Sequence, residues 1–550
     1  MTQIRVLILS LVSLSFIFAQ ATTAGKVSIK GVTRMSAAQP PPFNVLTLTT
    51  QNSFAPSASL LPGLPAVAGG NPAEGYQGGI YINNTAIFIP WQYSASIPHG
   101  TVLAYSGGPS GAFHCTSPAS CAANWSFFDI SNPGNLPLNC PSGFGACPAA
   151  DSASGYTCQV ILDNNSIVYY IPGADQQFPV MMAYNTLGSG GIANPANYAY
   201  FSAPGKTSGS PLGTGYGWCT GVYDGRYVYY APTAGGAVVN SNFLRYDTQA
   251  GAFPGGFTIA NFSHYDLANG PGGKTAGVAN SCCFLSSAYD GQQKIYLLPH
   301  QGSWLTVYDT TISGGFTSST SYKVLNMANL GTAGNPQVTG NGNLNAIQTL
   351  ATYVGGQMVW NAAGTVEFLY MAPFGSNPAG VSYAGTILLS DVIRVPVATC
   401  SPGVPGTQAC SGTFAALDIT AATSTWEIFD LANLATNRAW AAGGFAYPPL
   451  YTPPSPLTNQ LTLGGFQLTW LNVHNTADPI VGFVADYGNF FMRHHASHAL
   501  SDPSGWDVAQ RPAGQGNGCM GGGYDAINQL LYLACPAANP VASAWQIGLL

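Results

Sequence analysis

The stretch CTGVYDGRYVYYAP (Cys219 to Pro232), followed by NFLRYDT (Asn242 to Thr248) and FSHYDL (Phe262 to Leu267), decides the fold. Two short aromatic and β-branched runs flank Asp224-Gly225, a dipeptide that turns hairpins. A loop and two further aromatic runs follow, each carrying Asp near its end. The same order recurs in CQVILDNNSIVYYIP (Cys158 to Pro172), in CFLSSAYDGQQKIYLLP (Cys283 to Pro299) with WLTVYDT (Trp304 to Thr310), and in CMGGGYDAINQLLYLACP (Cys519 to Pro536). Weaker copies are GGIYINNTAIFIP (Gly78 to Pro90), GTVEFLYMAP (Gly364 to Pro373) with FAALDIT and WEIFDL, and a stretch opening at AWAAGGFAY (Ala439 to Tyr447).

Each copy reads as four antiparallel strands. The turn positions Asn83, Asp163, Asp224 and Asp290 lie 80, 61 and 66 residues apart, and no helical periodicity intervenes. A four-stranded unit at that interval predicts an all-β chain forming a single β-propeller, ahead of a β-sandwich or β-helix. Seven blades fit the length, with eight the alternative, because residues 440–510 parse least clearly. The C-terminal AWQIGLL supplies one strand of a last blade. The N-terminal NVLTLTT (Asn44 to Thr50) is expected to complete that blade and close the ring.

Repetition also sorts the acids. Asp224, Asp290 and Asp525 fall in hairpin turns, Asp247, Asp309 and Asp418 end third strands, and Asp129, Asp266 and Asp430 end fourth strands. An Asp that recurs in every unit serves a turn, through its bonds to nearby backbone. Such residues are poor catalytic candidates.

Composition narrows the function. Of 550 residues only 6% are charged, with net charge −6, while 12% are aromatic; ordinary globular domains carry roughly 25% charged residues. Nucleic-acid binding lacks its basic surface, disorder is excluded by the aromatics, and helical bundles lack their charged coat. Arg5, the apolar run Val6 to Phe18 and small residues to Ala24 predict a secretory signal over 1–24, leaving a propeller domain over 25–550. No later stretch is long and apolar enough to predict a membrane span, and an even cysteine count, 12, suits an oxidising exterior. Below about pH 3 carboxylates are neutral while Lys, Arg and His stay positive. That leaves at most 14 + 8 = 22 charges on the chain, so self-repulsion is small. An acidic exterior accounts for this composition, and a Gly-rich adhesive surface protein is the competing reading.

On a propeller the loops from strand two to three, and from blade to blade, share one face. Lys206, Lys274, Arg438 and Arg511 lie in connections between blades, and His99 and His300 follow second strands. Together they suggest a rim for a small anionic substrate, against the plainer fact that charges avoid strands. Between Pro373 and Phe414 the fifth blade carries an insertion holding Asp391, Arg394, Cys400 and Cys410. Asp391 matches no repeat position and has apolar neighbours (TILLSDVIRV), which raise a carboxyl pKa. It is the first candidate for general acid/base, against a local salt bridge to Arg394. Asp175, in the matching loop of the second blade, is the second candidate.

Cys115 with Cys121, Cys140 with Cys147, and Cys400 with Cys410 read as local staples, and Cys519 with Cys535 as a pair across a hairpin. Cys158, Cys219, Cys282 and Cys283 open first strands near the channel mouth, as inter-blade disulfides or as a sulfur-handling site. No Cys-x-x-Cys spacing appears, and RHHASH (Arg493 to His498) lacks the acidic partner of a zinc motif, so no metal is expected.

With its signal sequence, low charge and blades such as VYDGRYVYYAP and FLRYDT, the chain resembles the tetrathionate hydrolases of acidophiles. The resemblance is architectural and compositional and covers the whole mature chain. It implies an exported, cofactor-free, often dimeric enzyme that cleaves tetrathionate to thiosulfate, sulfur and sulfate with an acidic residue as catalyst. A thiolate is scarce in strong acid, so Asp suits the proton transfer better than Cys. Other classes that fit are a non-catalytic propeller binding glycan or protein, and a secreted polysaccharide lyase or hydrolase.

Overall fold

The computed structural model describes residues 48–547 apart from 66–75, 137–155, 203–216, 270–283, 377–386, 432–465, 511–520, 535–541 and shorter stretches such as 174–179. The fold is all-β, built of four-stranded antiparallel sheets in a propeller-like arrangement. Sheet two runs Tyr156–Leu162, Ile167–Pro172, Val180–Asn185, Tyr198–Ser202, and sheet three Trp218–Tyr223, Tyr227–Pro232, Asn242–Asp247, Phe262–Asp266. Sheet four runs Phe284–Tyr289, Lys294–Pro299, Trp304–Asp309, Tyr322–Asn326, and sheet six Phe466–Asn472, Ile480–Ala485, Phe490–His495, Trp506–Gln510. Sheet one (Tyr76–Ile82, Thr85–Pro90, Thr101–Tyr105, Trp125–Asp129) is joined through Gly79 and Gly522 to a terminal sheet. That sheet holds Gly521–Asp525, Leu530–Ala534 and Ala542–Ile547, with the N-terminal strand Leu48–Phe54 paired antiparallel to the last of these. The chain's two ends therefore share a sheet, as the short C-terminal segment predicts.

The local chemistry repeats. Tyr76, Tyr156, Trp218, Phe284 and Tyr353 each open a first strand, lie fully buried, and face Pro90, Pro172, Pro232, Pro299 and Pro373 at the ends of second strands. Proline has no N–H to donate, so the ladder stops there. In every case the register shifts immediately after the aromatic residue, as at Trp218/Thr220 and Phe284/Ser286. Such a bulge adds local twist and turns the next side chains inward. At the other end, Asp224 Oδ1 accepts from Arg226 N at 2.8 Å and Tyr227 N at 2.6 Å while Gly225 takes φ +102°. Asp163 and Asp290 close their turns in the same way, so these acids are structural.

First strands carry small residues because neighbouring sheets meet there. Thr220 and Ser287 join their hydroxyls at 2.8 Å between sheets three and four. A Cβ on Gly356 would lie 2.9 Å from Leu298 of sheet four. Aromatic and aliphatic side chains fill the space between sheets: Tyr169, Trp218, Tyr230 and Tyr246 between two and three, and Tyr296, Leu369, Ile393 and Trp426 between sheet four and the sheet that follows it in the chain.

Sheet five departs from the expected plan. Its strands are Tyr353–Trp360, Val366–Pro373, Asp391–Ser401 and Thr425–Asp430. The third strand is thus Asp391–Ser401, not the FAALDIT segment (Phe414 to Thr420), whose first three residues lie in a short strand, Thr413–Ala416, that pairs with the outer half of that long strand. The run VIRVPVATC is β-branched enough to continue the sheet, and the Cys400–Cys410 disulfide ties the extension back. A parallel edge strand, Gln337–Gly340, lies beside Thr425–Asp430. The stretch Ala439 to Tyr447, expected to open a unit, lies outside the described residues, and the first strand of sheet six begins only at Phe466. Cys115–Cys121 forms the expected local staple. No helix among the described residues is long and apolar enough to cross a membrane.

Candidate functional site

The ends where first strands begin, second strands finish, third strands begin and fourth strands finish lie on one side of each sheet. On that side two-stranded hairpins rise from the second-to-third connections of sheets one, three and five: Gln92–Ser94 with Ile97–Pro98, Ala234–Gly235 with Val238–Val239, and Gly375–Ser376 with Ile387–Leu388. Sheet five adds to this side the segment before its first strand, which holds Gln337–Gly340 and the helix Leu344–Leu350.

Asp391 opens the third strand of sheet five at this end, 2% exposed. Its backbone partner is Asp430, the last residue of the fourth strand. It therefore does occupy a repeat position, the counterpart of Asn242, which faces Asp266 in sheet three. Gly342 lies over the carboxylate so closely that a Cβ there would sit 2.9 Å from Oδ1. Tyr353, at the head of the first strand, has a buried hydroxyl with no hydrogen-bond partner. Burial, and then the charge of Asp391, push that phenol well above its ordinary pKa. A carboxyl and a phenol within electrostatic reach of one another thus lie at the head of one sheet, with Asp430 beside Asp391 in register. The arrangement can hold a proton or pass one to a polar group placed among them.

Asp391 makes no salt bridge to Arg394, the structural role weighed for it. The Arg394 guanidinium turns to the neighbouring fourth strand, its Nη2 donating to Glu427 at 2.8 and 2.7 Å. Nη1 donates to the Tyr370 hydroxyl at 3.0 Å and to the His498 carbonyl of sheet six at 2.8 Å. This network also absorbs the RHHASH histidines. His494 Nδ1 lies 3.0 Å from the Tyr370 hydroxyl, His495 pairs with Asp478 at 2.6 Å, and His498 with Asp502 at 2.9 Å. Burial, and then Arg394, hold His494 well below the usual histidine range. Each ring has its own partner, and among the described residues no three His, Cys, Asp or Glu are grouped to hold a metal ion.

His99 and His300 both lie on the same side of their sheets as Asp391. His99 is buried edge-on against Tyr76, 5.1 Å between ring centroids, and its Nδ1 accepts from Thr101 N at 3.3 Å. Burial pushes His300 down to about 3, so above that pH it offers a neutral N–H rather than a cation. Cys219 is disulfide-bonded, in keeping with the disulfide reading of the channel-mouth cysteines. Asp175, Lys206, Lys274, Arg438, Arg511, Cys282 and Cys283 lie outside the described residues, as do residues 1–24. Sequence reasoning missed Tyr353, Asp430 and Gly342. The recurrent aromatic before each first strand was the signal for Tyr353, since only in some sheets does that aromatic carry a hydroxyl.

No family model matches the chain. No curated protein matches it either. Among solved structures, a chain of the mitotic checkpoint complex aligns over 94% of this chain and 96% of its own, with TM-score 0.40 and 8% identity. A protein from Lactobacillus plantarum aligns over 82% and 89%, with TM-score 0.37 and 10% identity. Likenesses this distant carry nothing about function.

Proposed function

We propose that this chain is an exported, acid-stable hydrolase of a sulfur oxyanion, tetrathionate being the substrate that fits best, carried on a seven-bladed propeller. Among the described residues, seven groups of four strands support that count. Their first strands neighbour one another in order, with that of sheet six beside that of the terminal sheet and that of the terminal sheet beside sheet one. This succession supports a closed ring whose last blade is completed by Leu48–Phe54.

The observation that carries the functional reading is Asp391: a buried carboxyl at the head of sheet five, beside the Tyr353 phenol, in a chain with only 6% charged residues. A carboxyl buried at the head of a sheet is shielded from bulk water, the setting in which general acid–base groups work. Tetrathionate remains a dianion in strong acid. With water it yields thiosulfate, sulfur, sulfate and two protons, so the reaction needs a group that takes and returns protons. Asp391 has that role in this reading, and Lys206, Lys274, Arg438 and Arg511 are the candidate anion rim.

The test is thiosulfate release from tetrathionate by the purified mature chain between about pH 1 and 5. Asp391→Asn should leave the fold intact and lower turnover by about 10²–10⁴-fold. Near-normal turnover in that variant removes Asp391 from the mechanism, and absence of thiosulfate in the unmodified protein removes the substrate.

A further inference from the structure

Where sheets four and five pack together, three buried oxygens find no hydrogen-bond partner: Asp290 Oδ2, the Tyr296 hydroxyl and Glu367 Oε2. Asp290 and Glu367 are each 3% exposed and Tyr296 is fully buried. The three lie within electrostatic reach of one another, since the charges of Asp290 and Glu367 both act on the phenol and Asp290 acts on Glu367.

The sister sheets show what is unusual. In sheets two and three the turn aspartate is satisfied within its own sheet, with Tyr169 donating to Asp163 Oδ2 at 3.0 Å and Tyr229 to Asp224 Oδ2 at 2.7 Å. Tyr296 holds the same place, third before the closing proline, yet no such bond forms to Asp290. Instead the next sheet delivers Glu367, beside a register shift where Phe368 faces Pro396, a residue without an N–H. Asp290 Oδ1 already accepts three backbone amides, from Gln292, Gln293 and Lys294. Neither nearby cation bonds these oxygens: Lys294 Nζ donates to the Leu417 carbonyl at 2.7 Å, its charge still favouring the Asp290 anion, and Lys323 pairs with Asp418. Asp309, the remaining acid near Lys294, accepts from Gln293 and Thr311. Opposite Glu367 in register stand only Trp360 and Ala398.

We propose that this boundary is a proton-binding site: Glu367 is a neutral carboxylic acid that shares its proton with Asp290 Oδ2, and the Tyr296 phenol completes the set. Two neighbouring buried carboxyls, with a single lysine charge acting on Asp290 and no cation bonded to either, do not both ionise at neutral pH. One proton with the phenol supplies two donors among three oxygens. Burial raises the Asp290 carboxyl too, but three amides and the Lys294 charge offset part of that, so Asp290 is the acceptor and Glu367 the carrier. Burial, followed by the Asp290 charge, agrees in raising Glu367 from its ordinary 4.5 to about 9. The sign follows. Between those values the folded chain holds a proton that the unfolded chain has lost. The stability from this site is therefore complete in acid and falls as pH climbs through that window.

Thermal unfolding of the full chain and of Glu367→Gln, from pH 4 to 10, tests this, together with isotope-edited infrared spectroscopy of the glutamate carboxyls. The expected result is a protonated carboxyl band at pH 7 that Glu367→Gln abolishes. The melting temperature of that variant should match the parent near pH 4 and exceed it increasingly toward pH 9. Asp290→Asn should move loss of the band to lower pH, which keeps the test open if the glutamine variant fails to fold. Parallel melting profiles for the two proteins, or no protonated band at pH 7, would overturn the proposal. So would a parent melting temperature that falls on adding a chelator, since a metal ion and not a proton would then join the oxygens.

Discussion

Arg245 in sheet three and Arg394 in sheet five occupy the same register slot, the fourth residue of the third strand, in NFLRYD and DVIRVP. Arg245 stands opposite Tyr229 and Ser263, half-buried, with its guanidinium 4.3 Å over the Tyr227 ring and 4.6 Å over Phe316 of sheet four. Arg394 stands opposite Tyr370 and Glu427, 4% exposed, and extends its bonds into sheet six. Both guanidiniums lie over aromatic rings, Arg394 at 4.4 Å over Phe368, and one residue in the fourth strand, Ser263 or Glu427, decides whether an ion pair is added. Glu427 completes that pair by accepting from Leu500 N of sheet six at 2.9 Å. Both boundaries bury apolar and aromatic side chains, such as Tyr229 with Phe316 and Phe429 with Trp506, but the one between five and six adds an ion-paired network around Arg394.

That difference sets the largest expected effect. Arg394→Ala takes the counter-charge from Glu427, whose side chain is 25% exposed, and a donor from the Tyr370 hydroxyl and the His498 carbonyl, and should cost about 3 kcal/mol in denaturant unfolding, the lower end for a broken buried pair. Arg245→Ala, which removes stacking at a half-exposed site, should cost no more than about 2 kcal/mol. Equal losses would mean that the slot, and not its fourth-strand neighbour, determines the energetics. Replacing Arg394 and Glu427 together by Met and Leu sharpens the point, since a volume-matched apolar pair should restore most of the loss.

The next effect concerns the turns. Asp224 closes its hairpin with two backbone amides and the Tyr229 hydroxyl, so Asp224→Ala should lose about 1.5–3 kcal/mol, as for hydrogen bonds to a charged group. Sheet five uses a neutral acceptor, Asn361, toward Thr365 N at 2.9 Å and Val366 N at 3.3 Å. Asn361→Ala should therefore lose about 0.5–1.5 kcal/mol. An equal or larger loss at Asn361 would show that the charge on Asp224 adds nothing to its turn.

How far these features are legible in the sequence depends on their range. The hairpin, the closing proline and the turn aspartate are local, and VYDGRYVYYAP and its copies carry them openly. The pairing of the chain's two ends follows from an unpaired terminal strand on each side. Sheet five was misread because Asp391–Ser401 contains Pro396, a residue that argues against a central strand, and because FAALDIT imitates the third strands of its neighbours. What no local pattern announces is which acids face one another across two sheets. Glu367 in VEFLY looks like an exposed strand residue until sheet four brings Asp290 and Tyr296 against it. The Arg slot was within reach, since FLRYD, VIRVP and FMRHH align on their third strands, but its energetic meaning lies in the partner strand.

The smallest expected effect belongs to the exposed contact between sheets four and five. Lys323 Nζ lies 2.7 Å from Asp418 Oδ2, with side chains 60% and 39% exposed. Burial opposes ionisation of Asp418, but the Lys323 bond and the Thr420 donors outweigh it and hold the carboxyl below its ordinary 3.8. A group lowered in this way contributes above its unfolded value and loses that contribution as pH falls through the folded one. Solvent and salt screen the pair, so a double-mutant cycle of Lys323→Ala with Asp418→Ala should give about 0–1 kcal/mol at pH 7. The coupling should vanish near pH 2. The proton site at Glu367 has the opposite sign and sits on the same boundary. In acid, therefore, sheets four and five are joined by the buried neutral carboxyl and the apolar core around Tyr296, not by the surface pair. A Lys323–Asp418 coupling that persisted undiminished at pH 2 would contradict this division and make the exposed ion pair the acid-stable contact.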